Sequence, residues 1–149
     1  MRAVIQRVTN ASVETDGRIA GQINRGLLVY LSVGKGDSEA DAEFMAEKLV
    51  NLRIFADEAG KMNLSVKDIG GEILIVSNFT LHGDCRKGRR PGFDEACEPS
   101  LAEKLYEKTT ILTAEKGVRT AKGVFGAYMQ VSSVNDGPVT FLLDSTRLF

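Results

Sequence analysis

Two stretches of this chain are apolar at nearly every position, and they constrain its fold more than any other feature. Leu27-Leu28-Val29-Tyr30-Leu31-Ser32-Val33, opened by Gly26, and Ile73-Leu74-Ile75-Val76 lack the alternation of a half-exposed strand. Both therefore read as central, buried strands. Around them the chain is punctuated clearly. Ala3–Val8 and Ala11-Ser12-Val13 lead to the turn signal Asp16-Gly17, and the chain returns through Ile19–Ile23. Ser38 reads as the N-cap of a helix reaching about Leu52, with Ala42, Met45, Leu49 and Leu52 on one face. Arg53-Ile54-Phe55 then meets a turn at Asp57-Glu58-Ala59-Gly60. A strand is expected over 72–78, and Pro99-Ser100 opens a second helix that ends near Gly117. Two or three strands, over roughly 119–125, 127–134 and 139–144, close the chain. Periodicity alone gives an α/β chain, one domain over residues 1–149, and the order of its elements suggests sheets stacked on one another with helices on one face.

Composition limits the classes of function. Of 149 residues, 43% are apolar and 26% charged, the balance of a globular protein. The net charge of −1 argues against coating nucleic acid by bulk electrostatics, though not against a local basic patch. No run approaches a bilayer span and no signal-like block opens the chain, so a cytoplasmic location and no membrane partner are expected. Cys85 and Cys97 form no CxxC and read as free thiols. One histidine and scattered carboxylates offer no recognisable metal ligand set, and no cofactor is expected.

Chemistry concentrates in two segments. Ser77-Asn78-Phe79-Thr80-Leu81 ends the second apolar run. Along an extended strand Asn78 and Thr80 share one face, with Ser77 and Phe79 on the other. A bend there would leave backbone N–H groups near Phe79 and Thr80 free, and pre-aimed N–H groups stabilise the oxyanion formed when an ester carbonyl is attacked. The plainer alternative is a strand end whose hydroxyls cap local backbone. A Ser77–His82–Asp84 triad is conceivable, but its members crowd together along one chain, and triads are normally assembled from distant positions. The second segment is Asn135-Asp136-Gly137-Pro138-Val139-Thr140, where Gly-Pro marks a break or tight turn between apolar stretches. Arg86, Lys87, Arg89 and Arg90 make the densest cationic run, suited to RNA phosphates or merely to solvent. Phe79, Phe93 and Phe125 could stack on a base or pack in the core.

These segments, in this order and with the opening Arg2-Ala3-Val4-Ile5-Gln6-Arg7-Val8, resemble the D-aminoacyl-tRNA deacylases from that opening to Phe141. The resemblance implies three layers, helices on one face of two stacked β-sheets, and a homodimer that hydrolyses the ester between a D-amino acid and tRNA. By exclusion of L side chains alone, glycine mischarged on tRNA would also be accepted. The resemblance further implies that Gly137-Pro138 is a cis peptide inserted into the partner subunit's site, with Arg7 steadying it. Ser77, Asn78, Phe79 and Thr80 become the catalytic segment. Thr80 acts either as nucleophile or as a positioning group for water assisted by the 2′-hydroxyl of the terminal adenosine, and the second route is favoured. The family pattern usually has Gln at the position of Asn78, which leaves the role of this shorter amide open. Two other classes compete: a non-catalytic nucleic-acid-binding module using the basic run, and a small-ester serine hydrolase using Ser77 and His82.

Overall fold

The computed structural model describes residues 1–148. The elements run β1 (Arg2–Thr15), β2 (Arg18–Ile23), β3 (Gly26–Ser32), α1 (Glu39–Asn51), β4 (Phe55–Ala56), β5 (Met62–Leu64) and β6 (Glu72–Ser77). A 3-10 turn at Phe79–His82 follows, then α2 (Pro99–Glu115), β7 (Arg119–Lys122) and β8 (Gln130–Asp144). The two apolar runs become β3 and β6, paired in parallel with Leu27 opposite Ile73 and Leu31 opposite Ser77. β7 adds in parallel on the far side of β6.

Alternation along these strands feeds two separate cores. Leu27, Val29, Leu31, Ile73 and Ile75 face Met45 and Leu49 of α1 and Leu105 and Tyr106 of α2. Leu28, Leu74 and Val76 point the other way, toward Val8, Val13 and Ile23. The result is the expected three layers, because burying both faces of β3 and β6 takes a layer on each side. The outer strand layer is built by the far half of β1 with β2 and the start of β8. β1 pairs β3 through residues 2–8 and β2 through residues 11–15, so the two strand layers are one sheet bent along β1.

Local signals set the helices. Asp41 Oδ2 accepts from the Ser38 backbone N–H (2.8 Å) and hydroxyl (2.9 Å) and starts α1. In α2, Pro99 sits in the first turn, while Glu98 accepts from the backbone N–H groups of Ser100 (2.9 Å) and Leu101 (2.7 Å).

Several boundaries differ from expectation. Ala3–Val8 and Ala11–Val13 form one strand, and a short β4–β5 hairpin flanks the 57–60 turn. The strand expected over 119–125 stops at Lys122, and that over 72–78 stops at Ser77. The two strands expected over 127–134 and 139–144 are one, β8, which passes through Gly137-Pro138. The ladder to β1 shifts register there, and Asn135 Nδ2 bridges the gap by donating to the Arg7 (2.8 Å) and Val139 (3.1 Å) carbonyls. A side-chain amide thus replaces the backbone pairing that Pro138 cannot make.

Gly26 opens β3 hard against the backbone of Glu72 on β6. A Cβ there would overlap the Glu72 carbonyl, with Glu72 N only 2.7 Å away. Gly26→Ala should lose about 1–3 kcal/mol of stability through overpacking, and in thermal melting Tm should drop by about 2–12 °C.

Candidate active site

The parallel strands β3, β6 and β7 end on the same edge, and there a cavity of about 450 Å³ opens. Its walls are the residues at or after each strand end: Leu31-Ser32-Val33, Ser77-Asn78-Phe79 and Phe125-Gly126-Ala127. The end of the loop before α2, with Ala96 and Cys97, and the start of α2, with Pro99, Ala102 and Tyr106, close one side. Parallel strands stop their ladders together at such an edge, which is where α/β proteins place ligands.

The chain turns sharply after Ser77. The Asn78 N–H still reaches the Leu31 carbonyl (2.8 Å), and the next four residues coil into the 3-10 turn. The strand-like alternation expected for Ser77–Thr80 is therefore overturned, because the extended backbone ends one residue before Asn78. Asn78 Oδ1 accepts from both the Thr80 N–H (3.2 Å) and the Thr80 hydroxyl (2.5 Å). The Thr80 N–H is thus held by its own turn and not left free. Among the described residues the Phe79 N–H has no hydrogen-bond partner. Thr80 and Phe79 are exposed, Ser77 and Asn78 half-buried.

The triad does not assemble. His82 is buried, and its Nδ1 meets Ser32 Oγ at 2.7 Å. Asp84 instead accepts from Arg86 Nε (2.9 Å) and Nη2 (2.7 Å), which holds its carboxyl down to about 2. Burial, with Arg2 nearby, keeps the His82 ring below its ordinary value. Sequence reasoning does not find Ser32, although a hydroxyl at the end of an otherwise apolar strand is an available signal. It misses Cys97 and Tyr106 as cavity walls too. Tyr106 donates from its hydroxyl to the Ile75 carbonyl (2.9 Å), and burial raises both its phenol and the Cys97 thiol.

Gly137 and Pro138 are exposed, and the bond between them is cis. Arg7 holds the segment just before them. Its Nε donates to the Asp136 carbonyl (3.1 Å) and pairs with Asp136 Oδ2 (3.1 Å), while Nη1 donates to the Ile54 carbonyl (2.7 Å). In one chain this segment does not line the cavity. It sits beside Arg7 on β1, whereas Ser77 is level with Leu31 and Ala3. Four residues along a strand and three strands across, from β6 over β3 and β1 to β8, separate them by roughly 13 Å and 14 Å.

The cationic run lies in an exposed loop pinned at its base by the Asp84–Gly92 bridge. Arg86 is tied to Asp84, while Lys87, Arg89 and Arg90 are exposed. Phe79 and Phe93 meet edge to face at 5.0 Å on the surface, and Phe125 packs against Tyr106 in the cavity. Among the described residues no cluster of three or more His, Cys, Asp or Glu could hold a metal ion, and no helix is long and apolar enough to cross a membrane.

A cavity at the carboxyl ends of parallel strands, with a backbone N–H bare at its mouth, places this chain in the class of α/β proteins built to take a ligand at that edge. Comparison with known proteins narrows the class. The family model described as D-Tyr-tRNA(Tyr) deacylase matches residues 4–144. The chain is 59% identical to the D-aminoacyl-tRNA deacylase of Thermosipho africanus and 56% identical to that of Clostridioides difficile, over 149 residues and all of each chain. The solved structure of a c-Myc DNA Unwinding Element Binding Protein superposes with a TM-score of 0.91 at 42% identity, covering 97% of this chain and 98% of that one. Another, a probable eukaryotic D-amino acid tRNA deacylase, shares the fold with a TM-score of 0.82 at 17% identity, covering 95% and 97%. This chain belongs to the D-aminoacyl-tRNA deacylase family, a family of hydrolases.

The two thiols should respond differently to an alkylating agent. Cys85 is exposed, whereas Cys97 is half-buried with its thiol pushed up. Mass spectrometry of briefly alkylated protein should find Cys85 modified first, and a ligand filling the cavity should slow Cys97 further.

Proposed function

We propose that this chain hydrolyses the ester of D-aminoacyl-tRNA, releasing the D-amino acid and tRNA, and that the cavity at the β3–β6 edge is its active site. The observation that carries this reading is the unpartnered Phe79 N–H at the mouth of that cavity, beside the Asn78–Thr80 pair. A donor fixed by the strand end can hold the carbonyl oxygen as charge develops on it. No side-chain base stands free there, since His82 is engaged by Ser32 and Asp84 by Arg86. Water, assisted by the 2′-hydroxyl of the terminal adenosine, is then the attacking group, and Thr80 positions it. An aminoacyl ester is already reactive, so a modest lowering of the barrier is enough.

Chirality is read by exclusion. Gly137-Pro138 presents backbone without a side chain and a rigid ring, and such a wall beside the α-carbon leaves room for hydrogen or for a D side chain pointing away. Glycine on tRNA passes by the same test. The wall must come from a second copy, because in one chain the segment stands away from the cavity. A homodimer, acting on tRNA in the cytoplasm as a proofreading step of translation, follows from this reading.

Deacylation of matched D- and L-aminoacyl-tRNAs tests it directly. The D ester should be hydrolysed and the L ester spared by orders of magnitude; equal rates would sink the assignment. Gly137→Ala is a poor probe of the wall, since Gly137 has φ +148° and a Cβ there would lie 2.5 Å from Val139 N. Arg7→Lys is better. A lysine cannot reproduce the fork that reaches both Asp136 and Ile54, so the D-to-L rate ratio should narrow while the fold persists.

The loop cations offer a second test. Lys87, Arg89 and Arg90 can meet phosphates of the CCA end without reading bases. Arg89→Ala/Arg90→Ala should weaken binding of tRNAs with different acceptor sequences by similar factors and flatten its salt dependence. The D-over-L preference should persist. Tight nucleic-acid binding with no turnover by the unmodified protein would favour the binding-module reading, the property for which the 42% identical protein is named.

A further inference from the structure

The turn that carries Phe79 and Thr80 is fastened at both ends to consecutive residues of one strand. At its start the Asn78 N–H donates to the Leu31 carbonyl at 2.8 Å. At its end the His82 ring meets the hydroxyl of the next residue, Ser32, at 2.7 Å in a buried position. The ring has room only because residue 34 is glycine: a Cβ there would lie 2.5 Å from His82 Nε2. A further tie comes from Arg2 Nη1, which donates to the Leu81 carbonyl at 3.2 Å. We infer that Ser32 and His82 form a positioning pair that fixes the Phe79–Thr80 turn against β3, so that hydrolysis depends on an uncharged His82 although His82 touches no reacting atom. The inference rests on the reading that places the reacting carbonyl at this turn.

The charged groups around the ring decide the direction of the pH effect. Arg2 of β1 and the N-terminal ammonium oppose a charge on His82, while Asp37 after β3 and Asp144 of β8 favour it. Burial outweighs the carboxylates and holds the ring below its ordinary 6.5. A group depressed in this way is uncharged through neutral pH. Its contribution is complete above the unfolded value and is lost as pH falls through the folded one. Protonation would put a full charge into a closed pocket and drive the ring from Ser32. The far end of the turn would then lose its buried tie and keep only the longer Arg2 bond to the Leu81 carbonyl, and small displacements of a positioning group cost rate steeply.

The experiment is steady-state deacylation of D-aminoacyl-tRNA from about pH 5 to about pH 8. It compares wild type with Ser32→Ala, His82→Ala, their double variant and His82→Asn. At neutral pH each alanine variant should lose about tenfold in kcat with little change in KM, and the double should lose no more than either single. His82→Asn keeps an uncharged side-chain amide and should recover most of the rate. It should also lack the acid limb of the wild type; the substrate's own titration is common to both enzymes and cancels. A ratio of wild-type to His82→Asn rates that does not fall as pH is lowered, or single losses that multiply in the double variant, would overturn the inference. Asn78→Ala separates this from the site reading. If that variant is as fast as wild type, the carbonyl is not held at this turn; if it is slow while the Ser32 and His82 variants are unaffected, only the positioning pair fails. Should His82→Ala melt below assay temperature, Ser32→Ala and His82→Asn carry the test.

Discussion

The parallel pairing of β3 with β6 is the interaction on which the rest of this structure depends. Both strands are buried on both faces, so each apolar side chain along them is committed to one of two cores. A slip of one residue would send every side chain to the wrong core, which fixes the register firmly. That register decides where the ladder stops. Leu31 pairs with Ser77, and past that pair the backbone has no further parallel partner. The cavity and the Phe79–His82 turn are consequences of this ending, and the apolar runs that build the core also deliver the polar residues to its rim.

How much of this the sequence discloses follows the same logic. Elements defined by local pattern are legible: the two apolar runs, the helix opened at Ser38 and the helix opened at Pro99. The pairing of Arg7 with the segment before Gly137 is legible only through family resemblance, because the two lie 129 positions apart. What stays hidden depends on contacts that no local pattern encodes. Asn135 keeps β8 continuous by spanning a register shift with its amide, where Gly-Pro alone reads as a break. Ser32 and His82 are 50 positions apart and meet only because Gly34 leaves room for the ring. Strand alternation misplaces Thr80, since that rule fails once the backbone coils immediately after Ser77. The short side chain of Asn78 supplies a reason for its own effect, since an amide of that reach folds back on the turn two residues ahead.

The electrostatics of the rim are more restrained than the cationic run suggests. Arg86 is spent on Asp84, and Asp94 and Glu95 stand beside Lys87 and Arg90 around a second, smaller cleft of about 290 Å³. The loop therefore offers a few exposed cations among carboxylates and not a continuous positive surface. Such a loop suits holding the end of a polyanion loosely, at a strength that salt can tune, and does little to fix a reacting group. Precision falls to the backbone at the strand edge, which is held by packing and is indifferent to ionic strength.

Holding a carbonyl and judging a stereocentre make opposite demands on a protein. The first needs a donor pointed inward from a rigid edge, which the end of a buried parallel sheet provides. The second needs a wall facing that donor across the substrate, and a wall grown from the same edge would stand beside the donor and not opposite it. In this chain the candidate wall, Gly137-Pro138, projects from β8 and is braced from behind by Arg7, away from the cavity. β8 also leaves Val134, Phe141 and Leu142 exposed to either side of that segment. In the proposed dimer those apolar groups would be covered as the wall of one copy meets the donor of the other. In that dimer, dividing the two tasks between subunits would let each be rigid in its own frame, and the distance between donor and wall would be set by the packing of one subunit against the other.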